Sequence, residues 1–407
     1  MSIPVPRTTT KTFLTVLLIA LAGALCWYGV SANRLAVKDV AFLKKNFQLL
    51  QPFPDAWLLR GNLAYYVDLD PQTAATCFRQ AIARQPLLID AWLNLAKVDL
   101  AEGREDEARR ILQAISPCIS QVSTWKWQEL LLARDLQDES LFSAALNFIL
   151  ARLPRRVTEA CFLAKGFWGG SMAVIPHVNV ENQVVFLDEL MERREIDEAL
   201  AIWKAMQGTV SPPEKALRLR LCQFLLAGGR VTDAKEVWAS WRDDGKQTIY
   251  DGGFELEPTN KGFGWELVRN PDMLVERSMG NPYEGRFCLH LQFLGAKNVS
   301  FSQVSQVIPV EPGKVYRLTF ARKSQGLTTD QGVFLEVRGY QCKGLKVRSD
   351  PVLGTVSWTR EELEVSVPDG CEAVQLWVLR QESLMFDSKI SGHYWLDSVD
   401  LTEQHAP

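Results

Sequence analysis

The feature that most constrains this chain of 407 residues is a repeat of about 35 residues in its N-terminal half. Trp57, Trp92 and Trp127 recur at this spacing. In phase with them, a small residue is followed four positions later by a bulky one. The five pairs are Ala74 and Phe78, Ala108 and Leu112, Ala144 and Phe148, Ala199 and Trp203, and Ala234 and Trp238. Because an alanine lets a neighbouring helix approach and the bulky residue fills the gap, the period predicts stacked antiparallel helix pairs over about residues 50–245.

The residues around the tryptophans carry a family resemblance. Gly61 is a small residue after the first tryptophan, and Leu95 and Leu130 follow the second and third. These positions resemble the tetratricopeptide repeat, which implies an all-α solenoid whose concave groove binds protein partners. The longest interval in the series of small residues runs from Ala144 to Ala199 and contains Phe167-Trp168-Gly169-Gly170. This interval predicts an insertion between repeats or a degenerate unit.

Proline and glycine mark the predicted ends of these helices. Pro86 and Pro154 follow second helices, where proline can end a helix. Gly103 and Gly228-Gly229 fall between the two helices of their pairs, where the turn needs a permissive backbone.

An apolar run from residue 12 to 32 carries no charge and is long enough to span a bilayer at about 1.5 Å per residue. Arg7 and Lys11 precede it, which favours an N-terminus in the cytoplasm, and Trp27 and Tyr28 are placed like interfacial aromatic residues. We therefore expect a cytoplasmic segment 1–11 and a single-pass anchor in the inner membrane.

A cleaved signal peptide is the alternative for this run, with Val30-Ser31-Ala32 as the processing site. Both interpretations put residues 33–407 on the periplasmic side of the membrane. An exported chain can form a disulfide, and Cys288, Cys342 and Cys371 are candidates whose pairing the sequence leaves open.

Helical periodicity stops after Gly245, and short alternating runs separated by Gly, Pro, Asn and Asp begin. Such runs predict β-strands, and seven of them in one segment indicate a β-sandwich. The predicted strands are 287–293, 305–310, 315–321, 333–338, 361–367, 373–380 and 394–401. The predicted domains are helical repeats over 33–246 and a sandwich over 247–407.

Three motifs in the sandwich carry a second resemblance. The segment opens with Asp251-Gly252-Gly253-Phe254-Glu255, contains Pro312-Gly313 before Tyr316, and closes with Trp395-Leu396-Asp397-Ser398-Val399. This order is similar to the jelly-roll carbohydrate-binding modules with a galactose-binding-like fold. The resemblance implies a structural calcium shared by Glu255 and Asp397, the alternative being that both are ordinary surface acids. We expect no other cofactor.

Alternation along two strands predicts a sugar-binding face. Val333, Leu335 and Val337 would point inward on one strand, and Val374, Leu376 and Val378 on the other. The glycan-binding candidates on the opposite side are Trp377, Tyr340, Arg338, Glu336 and Gln375. Flat aromatic rings suit pyranose faces, and amides and charges suit hydroxyl groups. The alternative is that Trp377 packs under a loop or against the helical array.

Composition and motifs argue against several function classes. The 45 Lys and Arg nearly balance 48 Asp and Glu, which indicates no nucleic-acid partner. The four histidines show no metal-ligand spacing, and the chain lacks the common hydrolase, nucleotide and zinc motifs. The acidic pairs Asp243-Asp244 and Glu361-Glu362 are interpreted as solvated loop acids.

The sequence therefore predicts a multidomain, non-catalytic protein with a transmembrane helix, a helical solenoid and a C-terminal sandwich. We expect a periplasmic scaffold in exopolysaccharide or envelope-polysaccharide assembly or export, with protein partners on the repeats, polysaccharide on the sandwich and the membrane at residues 12–32. Two alternatives are a lectin-like receptor whose repeats are a spacer and, less favoured, an enzyme with two close carboxylates or a paired nucleophile and base.

Overall fold

The computed structural model describes residues 7–207, 215–240, 248–386 and 388–404, with side chains from residue 13. Its contacts divide the chain into two compact units, residues 1–190 and 191–407. The predicted boundary between repeats and sandwich, at residues 246 and 247, and the acidic pair Asp243-Asp244 lie outside the described residues. The last three helices belong to the same unit as the sandwich.

Helices follow one another from residue 7 to residue 239. They are α1 Arg7–Ala36, α2 Val40–Leu50, α3 Pro54–Tyr66, α4 Pro71–Arg84, α5 Ile89–Ala101, α6 Glu105–Ile119, α7 Ser123–Asp135, α8 Glu139–Arg152, α9 Val157–Trp168, α10 Ser171–Val174, α11 Val180–Glu192, α12 Ile196–Met206, α13 Lys215–Ala227 and α14 Val231–Ala239. The predicted helical array is confirmed.

Local signals start and stop these helices. Asp39, Asp70 and Asp138 precede α2, α4 and α8, and each side chain accepts a hydrogen bond from the backbone N–H three residues on, at 2.9, 3.0 and 3.1 Å. Such an N-cap contributes about 1 kcal/mol to helix stability. Gly103 and Gly229 have φ of +76° and +75° in the turns before α6 and α14, as their predicted role requires.

In most helix pairs, the small and bulky residues lie in the second helix. They are four and eight residues after the residue that immediately precedes that helix. Ala74 and Phe78 in α4 are both fully buried at these positions. In α8 the prediction is two residues out of phase, because Ala144 is exposed and Phe142 is the buried residue four positions after Asp138. The period is therefore real, but α8 fills the small position with a phenylalanine.

The unit after α8, formed by α9 and α10, is irregular, and α9 packs against Phe142. The Phe142 ring stacks on Phe167 of α9 at 4.2 Å between centroids and meets Trp168 edge-on at 5.1 Å. Helix α9 is a full helix that ends at Gly169, whose φ is +84°, and α10 after it is a single turn. The Phe-Trp-Gly-Gly segment thus ends the first helix of a unit and forms the turn before its short second helix, α10.

Helix α1 contains the apolar segment Phe13–Ala36, which is long and apolar enough to cross a membrane as an anchor or to serve as a signal sequence. Its last turns also belong to the array. Trp27 contacts Phe42 at 5.9 Å and Tyr28 stacks on Phe53 at 5.2 Å between ring centroids. The aromatic residues placed at the predicted membrane interface therefore also contact the first helices of the repeats.

The C-terminal segment forms two five-stranded antiparallel sheets, which confirms the predicted sandwich. The strands are β1 Glu266–Leu267, β2 Met273–Ser278, β3 Cys288–Leu294, β4 Phe301–Pro309, β5 Val315–Leu327, β6 Phe334–Gly339, β7 Lys346–Arg348, β8 Gly354–Ser366, β9 Ala373–Arg380 and β10 Ser391–Glu403. The first sheet has the order β1-β4-β9-β6-β7 and the second β2-β3-β10-β5-β8.

The structure corrects two details of the sandwich and settles a third. The short strands β1, β2 and β7 were not predicted. Glu361-Glu362 lies inside β8 rather than in a loop, and Glu361 accepts a hydrogen bond from the buried Arg322 at 2.8 Å. Cys342 and Cys371 form a disulfide, whereas Cys288 is a buried free thiol.

Candidate functional site

The outer face of the first sheet carries the predicted sugar-binding side chains. Strands β9 and β6 pair so that Trp377 lies opposite Glu336 and Gln375 lies opposite Arg338. On its other side Trp377 lies opposite Ser305 of β4. The alternate residues, such as Leu335 and Leu376, are buried in the core between the sheets. The strand period therefore places four of the five candidates side by side on one surface.

These side chains differ in how accessible they are. Trp377 and Gln375 are half-buried and Arg338 is exposed. Glu336 faces outward yet its side chain is only 3% exposed, because Arg338 pairs with one carboxylate oxygen and Lys346 lies 3.7 Å from the other. The surface thus offers an aromatic ring, an amide and a cation, while the carboxylate is committed to its neighbours.

The fifth candidate, Tyr340, lies just past the end of β6, beside α13. It is half-buried, and burial raises the pKa of its hydroxyl. The adjacent Gln341 donates through Nε2 to the carbonyl of Leu226 at 3.0 Å, which ties this end of the sheet to α13. Tyr340 therefore lies at the end of the face that α13 approaches, and it is half-buried, as Trp377 is.

A small cavity borders the face where α13 approaches. It has a volume of about 70 Å³, and its lining includes Gln223 of α13, Glu266, Ser305, Tyr340 and Gln375. The Gln375 amide donates to Ser305 Oγ at 3.2 Å, and Gln223 Oε1 accepts from the backbone N–H of Gly262 at 2.9 Å. One end of the face is thus closed by a helix, while the Trp377 ring keeps an exposed part.

The opening and closing motifs meet at another edge of the sandwich. Glu255 and Asp397 flank Gly253, and Asp397 is fully buried. Glu255 Oε1 accepts from the backbone N–H groups of Arg286 and Phe287 at 2.7 and 3.1 Å. Asp397 accepts three further backbone N–H bonds. Burial raises the pKa of Asp397, the three backbone N–H bonds oppose this shift, and the charge of Glu255 adds a smaller upward contribution.

These carboxylates satisfy part of what calcium requires. A cation between them would relieve the like-charge repulsion, and a cavity of about 380 Å³ adjoins both side chains. Calcium takes six to eight oxygens, so carbonyl groups or water would have to supply the rest. Within the described ranges, no group of three or more His, Cys, Asp or Glu side chains is placed to hold a metal ion.

The outer face of the second sheet holds a cluster that sequence reasoning missed. His290 of β3 and His393 of β10 approach to 3.0 Å, and Glu276 lies 3.1 Å from the other nitrogen of His290. Trp395 stacks beside both rings, and Lys323 Nζ lies 5.0 Å from its centroid. Burial and then His290 lower the pKa of His393. Trp395 is only 5% exposed, so little of its side chain is accessible.

A tetratricopeptide-repeat family model matches residues 70–123, which contain α4, α5 and α6. This segment of the helical array is therefore similar to the tetratricopeptide repeat. No curated protein matches the chain in sequence.

Several solved structures that resemble the sandwich are carbohydrate-binding modules. The structure of TmCBM61 in complex with β-1,4-galactotriose shares 17% identity at a TM-score of 0.28 and covers 39% of this chain and 99% of that chain. The CBM22-1 xylan-binding domain from Paenibacillus barcinonensis Xyn10C shares 15% sequence identity at a TM-score of 0.26. This match covers 39% of this chain and 96% of that chain. A CBM4 structure shares 16% sequence identity at a TM-score of 0.29, and the match covers 38% of this chain and 99% of that chain. Likenesses of this strength say nothing about the ligand of this chain.

Proposed function

We propose that the protein is a non-catalytic scaffold held in the inner membrane by residues 12–32, with the repeats and sandwich in the periplasm. There the repeats bind a protein partner and the outer face of the first sheet binds polysaccharide, during assembly or export of an exopolysaccharide or envelope polysaccharide. The observation that carries this proposal is Trp377, a half-buried tryptophan in the middle of a sheet face beside hydrogen-bonding groups.

Two observations support the membrane anchor and the periplasmic location, namely the packing of α1 and a disulfide. Ser31 and Leu35 of α1 are buried, and Trp27 packs on the cluster that contains Leu43 and Leu59. Cleavage after Ala32 would remove part of this packing, which favours the uncleaved helix. The disulfide between Cys342 and Cys371 supports an oxidising compartment, because disulfides persist outside the cytoplasm.

We also propose that Glu255 and Asp397 hold a structural calcium. The support is that the two chain ends of the sandwich bring these acids to one edge beside a cavity, and that a buried carboxylate with a like-charged neighbour gains from a bound cation. Calcium there would tie the first and last motifs of the domain together.

The polysaccharide proposal is tested with full-length protein in detergent, titrated against a panel of envelope and secreted polysaccharides. Trp377→Ala should weaken binding at least about tenfold, since an anchor tryptophan contributes about 2 kcal/mol or more at an interface. The matched control is Trp358→Ala, which removes a partly exposed tryptophan from β8 of the other sheet. Circular dichroism checks both folds.

Two results would overturn this proposal. Equal binding by Trp377→Ala and the unaltered protein would move the site elsewhere, and no binding to any polysaccharide would remove it. A polysaccharide bound by a protein whose repeats capture no partner from envelope extracts would favour the lectin-like receptor with a helical spacer.

A further inference from the structure

The apolar segment of α1 overlaps the part of α1 that packs on the array. Residues 13–26 are all exposed, and burial begins at Trp27 and Ser31. The exposed stretch spans roughly 21 Å at 1.5 Å per residue, which is shorter than a hydrocarbon core of about 30 Å. A bilayer spanned by α1 must therefore extend close to the residues at which the array begins, even if the span starts before residue 13.

The contacts show which end of the array α1 leaves from. Tyr28 stacks on Phe53, which lies in the turn between α2 and α3. Leu35, two turns later, is buried in a cluster with Leu59 in the middle of α3. The C-terminal part of α1 thus runs alongside the first half of α3. The exposed N-terminal part of α1 projects beyond the α2–α3 turn.

Antiparallel pairing brings the α4–α5 turn to the same end as the α2–α3 turn. This membrane-facing end, defined by Leu49, Phe53, Arg84 and Leu87, exposes 63% of Leu49 and 76% of Leu87. Arg84 is exposed there and stacks on Trp57 with its guanidinium 4.9 Å from the ring centroid. Exposed leucines next to a cation are the side chains that favour an anionic lipid surface.

The opposite end of the same hairpins offers a direct contrast. Leu69, in the turn between α3 and α4, is 78% exposed, nearly as much as Leu87. It lies between Asp68 and Asp70, and the preceding turn at this end carries Asp39. Both ends carry acids as well as a cation, since Asp55 and Asp90 lie in the first turns of α3 and α5 near Arg84, and Lys38 precedes Asp39 at the opposite end. The ends therefore expose similar apolar groups, and the contrast between them is that α1 leaves from the end with Leu49, Arg84 and Leu87.

We propose that the membrane-facing end of the array rests on the phospholipid surface of the bilayer that α1 spans. Leu49 and Leu87 insert among the lipid head groups. Arg84, whose Nε and Nη1 donate to Gln51 and Gln80, reaches their phosphates through Nη2. This inference rests on the proposed membrane anchor. It fixes the first repeats against the bilayer, so that the array begins at the membrane without a flexible spacer.

The test uses full-length protein reconstituted in vesicles of phosphatidylcholine and phosphatidylglycerol. Leu87→Cys is labelled with a polarity-sensitive fluorophore, in a chain whose exposed Cys26 and Cys118 are replaced by serine. Lipids with a nitroxide on the head group then quench the probe. Leu69→Cys, which is equally exposed, is the matched control. We expect several-fold stronger quenching at position 87 than at position 69, and a blue-shifted emission only at position 87.

Equal quenching at the two positions, in protein that floats with the vesicles and resists carbonate extraction, would overturn this inference and leave the anchor intact. Protein that fails to float would overturn the anchor and this inference together. A third variant, Leu49→Cys, checks the second leucine and should behave as Leu87→Cys does, because it lies at the same end.

Discussion

The first unit and the sandwich are stabilised in opposite ways. In the repeats, contacts join segments close in sequence, such as Gly61 of α3, where a Cβ would lie 2.6 Å from the Phe78 ring of α4. In the sandwich, β10 pairs with β3 across about a hundred residues of sequence, and Cys342 is bonded to Cys371. Repeat arrays lose structure locally, whereas a domain closed by long-range pairing loses it as a whole. The difference predicts where the damage from a single change will spread.

The largest expected effect is in the repeats, at a buried ion pair. Lys126 and Glu129 of α7 approach to 2.6 Å, with side chains 4% and 0% exposed. Glu129→Ala leaves an unpaired buried ammonium and should destabilise the fold by about 3–5 kcal/mol. Urea unfolding followed by circular dichroism measures the loss. Hydrogen exchange should show it confined to the helices around α7, with the sandwich still protected.

The control for this prediction replaces both charges. Lys126→Met combined with Glu129→Leu should be close to the unaltered protein in stability, because a matched apolar pair avoids the cost of burying charge. A double variant as unstable as Glu129→Ala would show that packing, and not the unpaired charge, sets the effect. Loss of protection in the sandwich would contradict the local behaviour expected of repeats.

A slightly smaller effect is expected in the sandwich when its disulfide is removed. The bond closes a loop of 29 residues of sequence. Replacing Cys342 and Cys371 together by serine should cost about 3–4 kcal/mol by the chain-entropy estimate for such a loop. Thermal unfolding should show the transition of the sandwich moving down while that of the repeats stays in place.

Reductant provides the matching control for the disulfide. Dithiothreitol should lower the unfolding temperature of the unaltered protein and leave the double serine variant unchanged. The buried free thiols Cys77 and Cys288 are present in both proteins, so they cannot account for a difference. A shift of the helical transition by reductant would break the contrast between the two regions.

Sequence reasoning worked where a period or a local signal decides the structure. The small-bulky period located the repeats, and strand alternation placed Trp377 and Gln375 on one face. It failed in α8 by two residues, because Phe142 fills the position that is small in the other units and the nearest alanine with a bulky residue four positions later is Ala144.

Contacts set by long-range register lay beyond such patterns. His290 and His393 meet only because β3 pairs with β10, and no sequence spacing records that register. The burial of Glu336 is similar, because it depends on Lys346 of a strand that the sequence did not reveal. The outward direction of a strand residue was predictable, but its accessibility was not.

The smallest expected effect is stabilisation by calcium, which should raise the unfolding temperature of the sandwich and leave that of the repeats unchanged. If Glu255 and Asp397 hold the ion, free calcium at about a hundred times its dissociation constant should stabilise the sandwich by about 2.7 kcal/mol. Chelator should reverse the shift in unfolding temperature, and the helical transition should not respond. Glu255→Gln should abolish the calcium effect, whereas Glu257→Gln should keep it, because Glu257 is 87% exposed and pairs with Arg277. An unfolding temperature unaffected by calcium would mean that the five backbone N–H bonds to these carboxylates suffice to hold the edge together, and the calcium proposal would then be wrong.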